Sequence, residues 1–202
     1  MDHVALQLWN TAKSKQLVLS RPPTINLAAA WISMTIGLVM ASQALPKMQV
    51  PVDSSFQVRC PFDFSDRKQL YDGHESLHGL ERITRHPGLW SLALVSAAQA
   101  SLQSSIPLRL WWLGPSFVAY LGGGHTDSRF RRGIGGNLDP YYDSMTSNLP
   151  FAATLSGKQG PVVQAVTELL QDIKPLNATI ATGVATAWIL SRGRVKPSLR
   201  PV

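Results

Sequence analysis

The stretch Arg82-Ile-Thr-Arg-His86-Pro87 stands directly against Gly88–Leu108, twenty-one residues without Asp, Glu, Lys or Arg. A cationic cluster and a proline handing over to an uncharged run is how a loop enters a bilayer. The last hydrated charges sit at the headgroups, and the helix beyond satisfies its own backbone. Ile25–Leu45 repeats the pattern: twenty-one uncharged residues bracketed by Pro22-Pro23 and Pro46. At 1.5 Å per residue either run is about enough to cross roughly 30 Å of hydrocarbon. Two shorter runs follow, Leu110–Gly124 with Trp111-Trp112 at belt position and Pro115 as a kink, and Leu176–Ser191. The expected fold is all-α: a polytopic helical membrane protein of about four embedded helices, with buried or re-entrant helices the alternative for the two short runs.

The domain layout follows: an N-terminal tail over residues 1–24, a membrane domain over 25–191 and a basic C-terminal tail over 192–202. Pro161–Ile173 carries Val162, Val166, Leu169, Leu170 and Ile173 on one side, with Glu168 and Asp172 off it, an amphipathic helix expected to lie in the membrane interface. His125–Gly160 reads as polar and turn-rich, and Met48–His78 as a long mixed loop.

Charge sets orientation. Of 202 residues only 15% are charged, and the net charge is +7. The tails and Arg109 hold eight Lys/Arg against the single acid Asp2, while the opposite side holds eleven of each. The positive-inside rule puts both termini on the cytoplasmic, stromal or matrix side. No basic stripe interleaved with aromatics is present, which argues against nucleic acid as a partner. Cys60 is the single cysteine, so no disulfide forms within the chain. Met1–Ser20 lacks the apolar core of a secretory signal.

Small residues recur every fourth position in three runs: Ala29, Ser33, Gly37 and Ala41; Ala93, Ala97, Ser101 and Ser105; Thr179, Gly183 and Ala187. Residues four apart share a helix face, so each column is a strip along which helices can approach closely.

Three separated motifs carry a family resemblance. Gly79-Leu-Glu-Arg-Ile-Thr-Arg-His-Pro87, then Gly123–Asp127 with Arg129, then Thr146-Ser-Asn-Leu-Pro-Phe-Ala-Ala153 with Ser156-Gly-Lys-Gln159 resemble the NnrU family, which includes 15-cis-zeta-carotene isomerase. The resemblance covers roughly residues 79–191. It implies a polytopic membrane protein, a plastid thylakoid location with the mitochondrial inner membrane second, and in the isomerase branch haem b and cis-to-trans rearrangement of one carotene double bond. The family's histidines in the second and third of these runs fall here at Gln99 and at Val118-Ala119.

His86 and His125 remain as candidate haem ligands at one membrane face, because haem iron takes imidazole or thiolate. The other reading makes His86 with Arg85 an interfacial anchor and His125 the cap of a glycine-rich helix end. Arg82, Arg85, Arg129 and Arg132 are candidate contacts for lipid headgroups or tetrapyrrole carboxylates, since guanidinium pairs bidentately with such anions. Asp127 and Arg129 form a candidate loop-fixing pair. With the family's embedded histidines replaced and the packing strips present, the leading expectation is a non-catalytic subunit of a larger membrane complex, partnered by other membrane subunits, lipids and pigments. The alternatives are a working haem b isomerase and a protein binding carotenoid, chlorophyll or lipid.

Overall fold

A computed structural model describes residues 24–44, 77, 79–103 and 105–193. The N-terminal tail, the Met48–His78 loop apart from Leu77, with its Cys60, and the basic Arg194–Val202 lie outside the described residues. Among those described the chain is all-α, with no strand.

Helix α1 spans Thr24–Ala44, starting just after Pro22-Pro23 and ending before Pro46. A 3-10 turn at Gly79–Arg82 leads into α2, Pro87–Leu102, with Pro87 at the first helical position, where its missing N–H costs nothing. The expected single run Gly88–Leu108 is broken. Gln103 is extended (φ −79°, ψ 140°), Ser105 is extended again, and α3 restarts over Ile106–Arg131 with Pro107 in its first turn. Pro107 has no N–H to bond the Gln103 carbonyl four residues back, and its ring would clash with that carbonyl, so an uncharged run need not be one helix.

Helix α3 also runs seven residues past Gly124, the expected end of its run. It keeps Pro115 inside an unbroken helix and places His125 within the helix rather than at its end. The polar stretch behind it holds two short helices, α4 (Pro140–Met145) and α5 (Ala152–Leu155). Helix α6 follows over Val162–Asp172 and α7 over Pro175–Gly193.

The long helices form a row. α1 packs between α2 and α7, and α2 packs in turn on α3. Gly37 is where α1 and α2 close up: a Cβ there would lie 2.9 Å from the Val95 backbone nitrogen and 3.0 Å from the Ser91 carbonyl oxygen. Ser33 of the same column donates its hydroxyl to the Leu94 carbonyl at 2.8 Å. On the other flank of α2, Ala93 is buried and its carbonyl accepts from Ser116 of α3 at 3.4 Å. The third column behaves differently. Helix α7 buries Asn177, Ala181, Ala185 and Ile189, whereas Thr179, Gly183 and Ala187 face outward along a shallow open groove. The two sets are offset by two residues, about 200° around a helix, so the expected strip is the face turned away from the row.

The surface is rich in large apolar side chains. Between the helices lie Ala30, Ala98, Ala119 and Ala185, each fully buried, together with Ser91, Ser96 and Gln99. Outside are Trp31, Ile32, Leu92, Trp111, Phe117, Leu121, Ile180, Val184 and Trp188. By length and apolarity together, one described helix qualifies as a membrane span, Asn26–Ala44. α2 is too short at 16 residues.

Candidate functional site

At the end of the row where α2 begins and α3 finishes, the three sequence motifs converge on one buried knot. Its centre is Asp127. His86 Nε2 lies 2.8 Å from Asp127 Oδ1, and Arg85 Nη1 lies 3.1 Å from Oδ2 and 2.6 Å from Asp143 Oδ1. Arg131 grips Asp143 from the solvent side through two bonds of 2.6 and 2.8 Å. Arg85, His86 and Asp127 are each at most 5% exposed. Two guanidiniums therefore face two carboxylates, the balance that lets charge be buried; removing one partner leaves the other uncompensated at a cost of roughly 3–5 kcal/mol. The Arg131 bonds, seconded by the Arg85 charge and opposed by burial, hold the Asp143 carboxyl below its ordinary pKa.

The backbone is tied in the same place. Arg85 N–H donates to the Ser147 carbonyl at 3.0 Å, Thr84 Oγ1 to the Asn148 carbonyl at 2.6 Å, and Phe151 N–H to the Ile83 carbonyl at 2.8 Å. The Arg82 carbonyl accepts from both Thr154 Oγ1 and Gln159 Nε2 at 3.0 Å. Gln159 Nε2 also donates to the Met145 carbonyl at 3.1 Å. The Ser156–Gln159 motif thus supplies one amide that holds two segments, with Gly157 at φ 73° making the turn. Phe151 has φ 60°, rare for a bulky residue, and is kept there by its N–H bond and by packing its ring on the cluster of Met40, Ile83 and Leu169.

Asn148 joins the knot to both helices. Its side chain donates to the Tyr120 carbonyl of α3 at 2.9 Å and accepts from Trp90 Nε1 of α2 at 3.2 Å. Gly123 makes this approach feasible: a Cβ there would collide with Asn148 Oδ1 and lie 2.9 Å from His86 Cδ2. The Gly123–Asp127 motif reads as a bare seat and, one turn on, an acid.

Several expectations are corrected by this geometry. Asp127 does not pair with Arg129; two residues apart on a helix, they point about 200° from one another, and the acid turns inward to Arg85 and His86. Arg82 is buried and bound to Glu168 at 2.8 Å, with Asp172 at 3.7 Å, and Arg85 is held by carboxylates, so neither faces a headgroup. Arg129 and Arg132 are exposed. His86 and His125 do not face a common iron position. The His86 ring lies against Gly123 and Asp127, while exposed His125, two residues from each, occupies another face of α3. These residues do not fit a bis-histidine haem. Among the described residues no group of three or more His, Cys, Asp or Glu is placed to hold a metal ion. Gln99 is buried in α2.

The sequence reading missed Asp143, Asn148 as a linchpin, and Trp90. Asp143 carries no local signal, being one acid in a turn-rich segment. Asn148 stood inside a motif, where a polar amide flanked by a Pro-Phe pair hints at a backbone tie. No family model, curated protein or solved structure matches the chain.

Proposed function

We propose that this chain is a polytopic membrane protein that acts as a non-catalytic structural subunit of a larger membrane complex. The apolar surface carries the reading. Large apolar side chains lie outside and alanine, serine and buried amides lie between the helices, the distribution expected where the surroundings are as apolar as the core. An open row of helices also leaves both of its faces to be covered, by lipid or by neighbouring subunits. Helix α2, at 16 residues, is short for a lone span, which a setting among other subunits tolerates. The resemblance to the NnrU family points to a photosynthetic thylakoid complex, with the mitochondrial inner membrane as the second location.

The charged residues support the structural role. Arg82, Arg85, His86, Asp127 and Asp143 are engaged in ties between helix ends and loop. The haem-dependent isomerase implied by the same resemblance finds no support in the placement of His86 and His125. The test has two arms on native membranes. Alkaline carbonate should leave the chain in the pellet, and mild-detergent native electrophoresis should show it migrating with a large complex. Release by alkali would refute membrane embedding. Migration at its own mass, or a Soret band at near-equal stoichiometry, would refute the structural-subunit reading.

A further inference from the structure

We infer that the last two turns of α3 form a binding site for the phosphate of an anionic phospholipid. The inference rests on the membrane reading above. His125, Ser128, Arg129 and Arg132 recur at i, i+3, i+4 and i+7, so they share one helix face, and all four are exposed. The same face continues toward the helix start as Leu121 and Phe117, 64% and 61% exposed. Apolar surface thus runs straight into a cationic end along one line, which matches the acyl chains and headgroup of one lipid.

The depth agrees. From Ile106 to His125 the helix rises about 28 Å at 1.5 Å per residue, close to the roughly 30 Å of a hydrocarbon core. Ser128, Arg129 and Arg132 then stand at the headgroups.

The cations are available. Arg131 is bound to Asp143, but no carboxylate lies within ion-pair distance of Arg129 or Arg132 among the described residues. Arg132 Nε donates to the Ser128 carbonyl at 3.1 Å, which folds its side chain back onto this face and leaves its terminal nitrogens to bind. Arg129 lies along the glycine turn, where a Cβ on Gly135 (φ 75°) would come within 3.1 Å of its Nη2. A guanidinium that serves no internal pair, beside a second one on the same face, complements a phosphodiester.

The experiment uses the purified full chain in mild detergent, titrated in parallel with phosphatidylglycerol, phosphatidylcholine and inorganic phosphate, with native mass spectrometry counting retained lipid. The parent should retain phosphatidylglycerol in preference to phosphatidylcholine, and inorganic phosphate should not displace it. At about 1 kcal/mol per basic residue near an anionic surface, the pair Arg129→Gln and Arg132→Gln should lower that preference about thirtyfold. Lys158→Gln, an exposed cation away from this face, should leave it unchanged. Both arginines are exposed, so the double variant should keep the parent's unfolding temperature in phosphatidylcholine. Preference surviving in the double variant would overturn the site. Loss of complex assembly with lipid preference intact would also overturn it, by showing that the face meets a protein. Equal displacement by inorganic phosphate would show an anion site without lipid recognition and overturn it too. Failure of the membrane reading is separate, since it appears as release by carbonate in the parent itself.

Discussion

Gly122 and Gly123 are neighbours on α3 with opposite surroundings, and replacing each by alanine isolates what the knot contributes. In the middle of a helix, alanine is favoured over glycine by about 0.8–1.0 kcal/mol. At Gly122 nothing among the described residues lies within 4 Å of the new methyl, so the gain should appear nearly in full. At Gly123 the methyl meets Asn148 Oδ1 and lies 2.9 Å from His86 Cδ2. Overpacking of this kind costs about 1–3 kcal/mol. Displacing Asn148 further weakens its bonds to the Tyr120 carbonyl and Trp90, at about 0.5–1.5 kcal/mol each. Set against the helical gain, Gly123→Ala should destabilise by about 1–5 kcal/mol, the upper end if both Asn148 bonds are lost, while Gly122→Ala stabilises by somewhat under 1. The measurement is thermal unfolding in one detergent, followed by circular dichroism and by the emission of Trp90 and the other tryptophans. Asn148→Ala then completes a double-mutant cycle: once the amide is gone, Gly123→Ala should cost much less than in the parent. If the two glycine variants shift the midpoint equally, or the cycle shows no coupling, the convergence of the three motifs at Gly123 is wrong.

The other predictions use the same unfolding assay. Asp127→Asn removes the carboxylate shared by Arg85 and His86 and should cost roughly 3 kcal/mol, the lower part of the range for a broken buried pair because Arg85 keeps Asp143; a loss under about 1 would show the knot to be solvated. Asp143 has a folded pKa below its unfolded value, so its contribution is present above the unfolded pKa and disappears as pH falls through the folded one. Stability should therefore drop on acidification below about pH 4, the ordinary aspartate range, and Asp143→Asn should flatten that limb; an unchanged acid limb would contradict the Arg131 pairing. Gly37→Leu should prevent the close approach of α1 and α2 and destabilise the isolated chain by at least 1–3 kcal/mol. Gly183→Leu, with open space around it, should leave the isolated chain at least as stable as the parent and act on assembly into the proposed complex, read by native electrophoresis. Destabilisation of the isolated chain by Gly183→Leu would mean that its face packs within the chain.

How far the sequence was legible depends on whether the deciding contact is local. The bounds of α1 were readable because prolines bracket an uncharged run. Helix α6 was readable because Val162, Val166, Leu169 and Ile173 keep helical spacing, although Leu169 packs inward on Met40 and Ile83 while Val163 and Leu170 stay exposed. The break at Gln103–Ser105 was hidden, since hydropathy does not register a change of backbone direction. The roles of Arg82 and Arg85 were hidden more deeply. Their partners Glu168, Asp172 and Asp143 lie far along the chain, and a cation beside an apolar run reads the same whether it meets a phosphate or a carboxylate. The α7 strip shows the converse error: small residues at four-residue spacing permit close approach, but neighbouring helices decide which of two such faces is used.

The arrangement of the knot explains why these motifs travel together in one chain. Helices α2 and α3 form a hairpin closed at one end by Gln103–Ser105, and its other end would splay without a tie. His86 and Arg85 at the first turn of α2, held by Asp127 in the last turns of α3, close that open end. The Thr146–Ala153 segment lies across it, bonded to Ile83, Thr84 and Arg85 by backbone and to Tyr120 and Trp90 through Asn148. Charge suits this task because the buried guanidinium and carboxylates compensate one another and fix direction as well as distance. Arg131, Arg129 and Arg132 follow within one turn and divide the work by direction. Arg131 completes the clamp on Asp143 from the solvent side, and Arg129 and Arg132 are left to the proposed lipid contact. A single helix end thereby fixes the internal geometry of the hairpin and carries the proposed lipid contact.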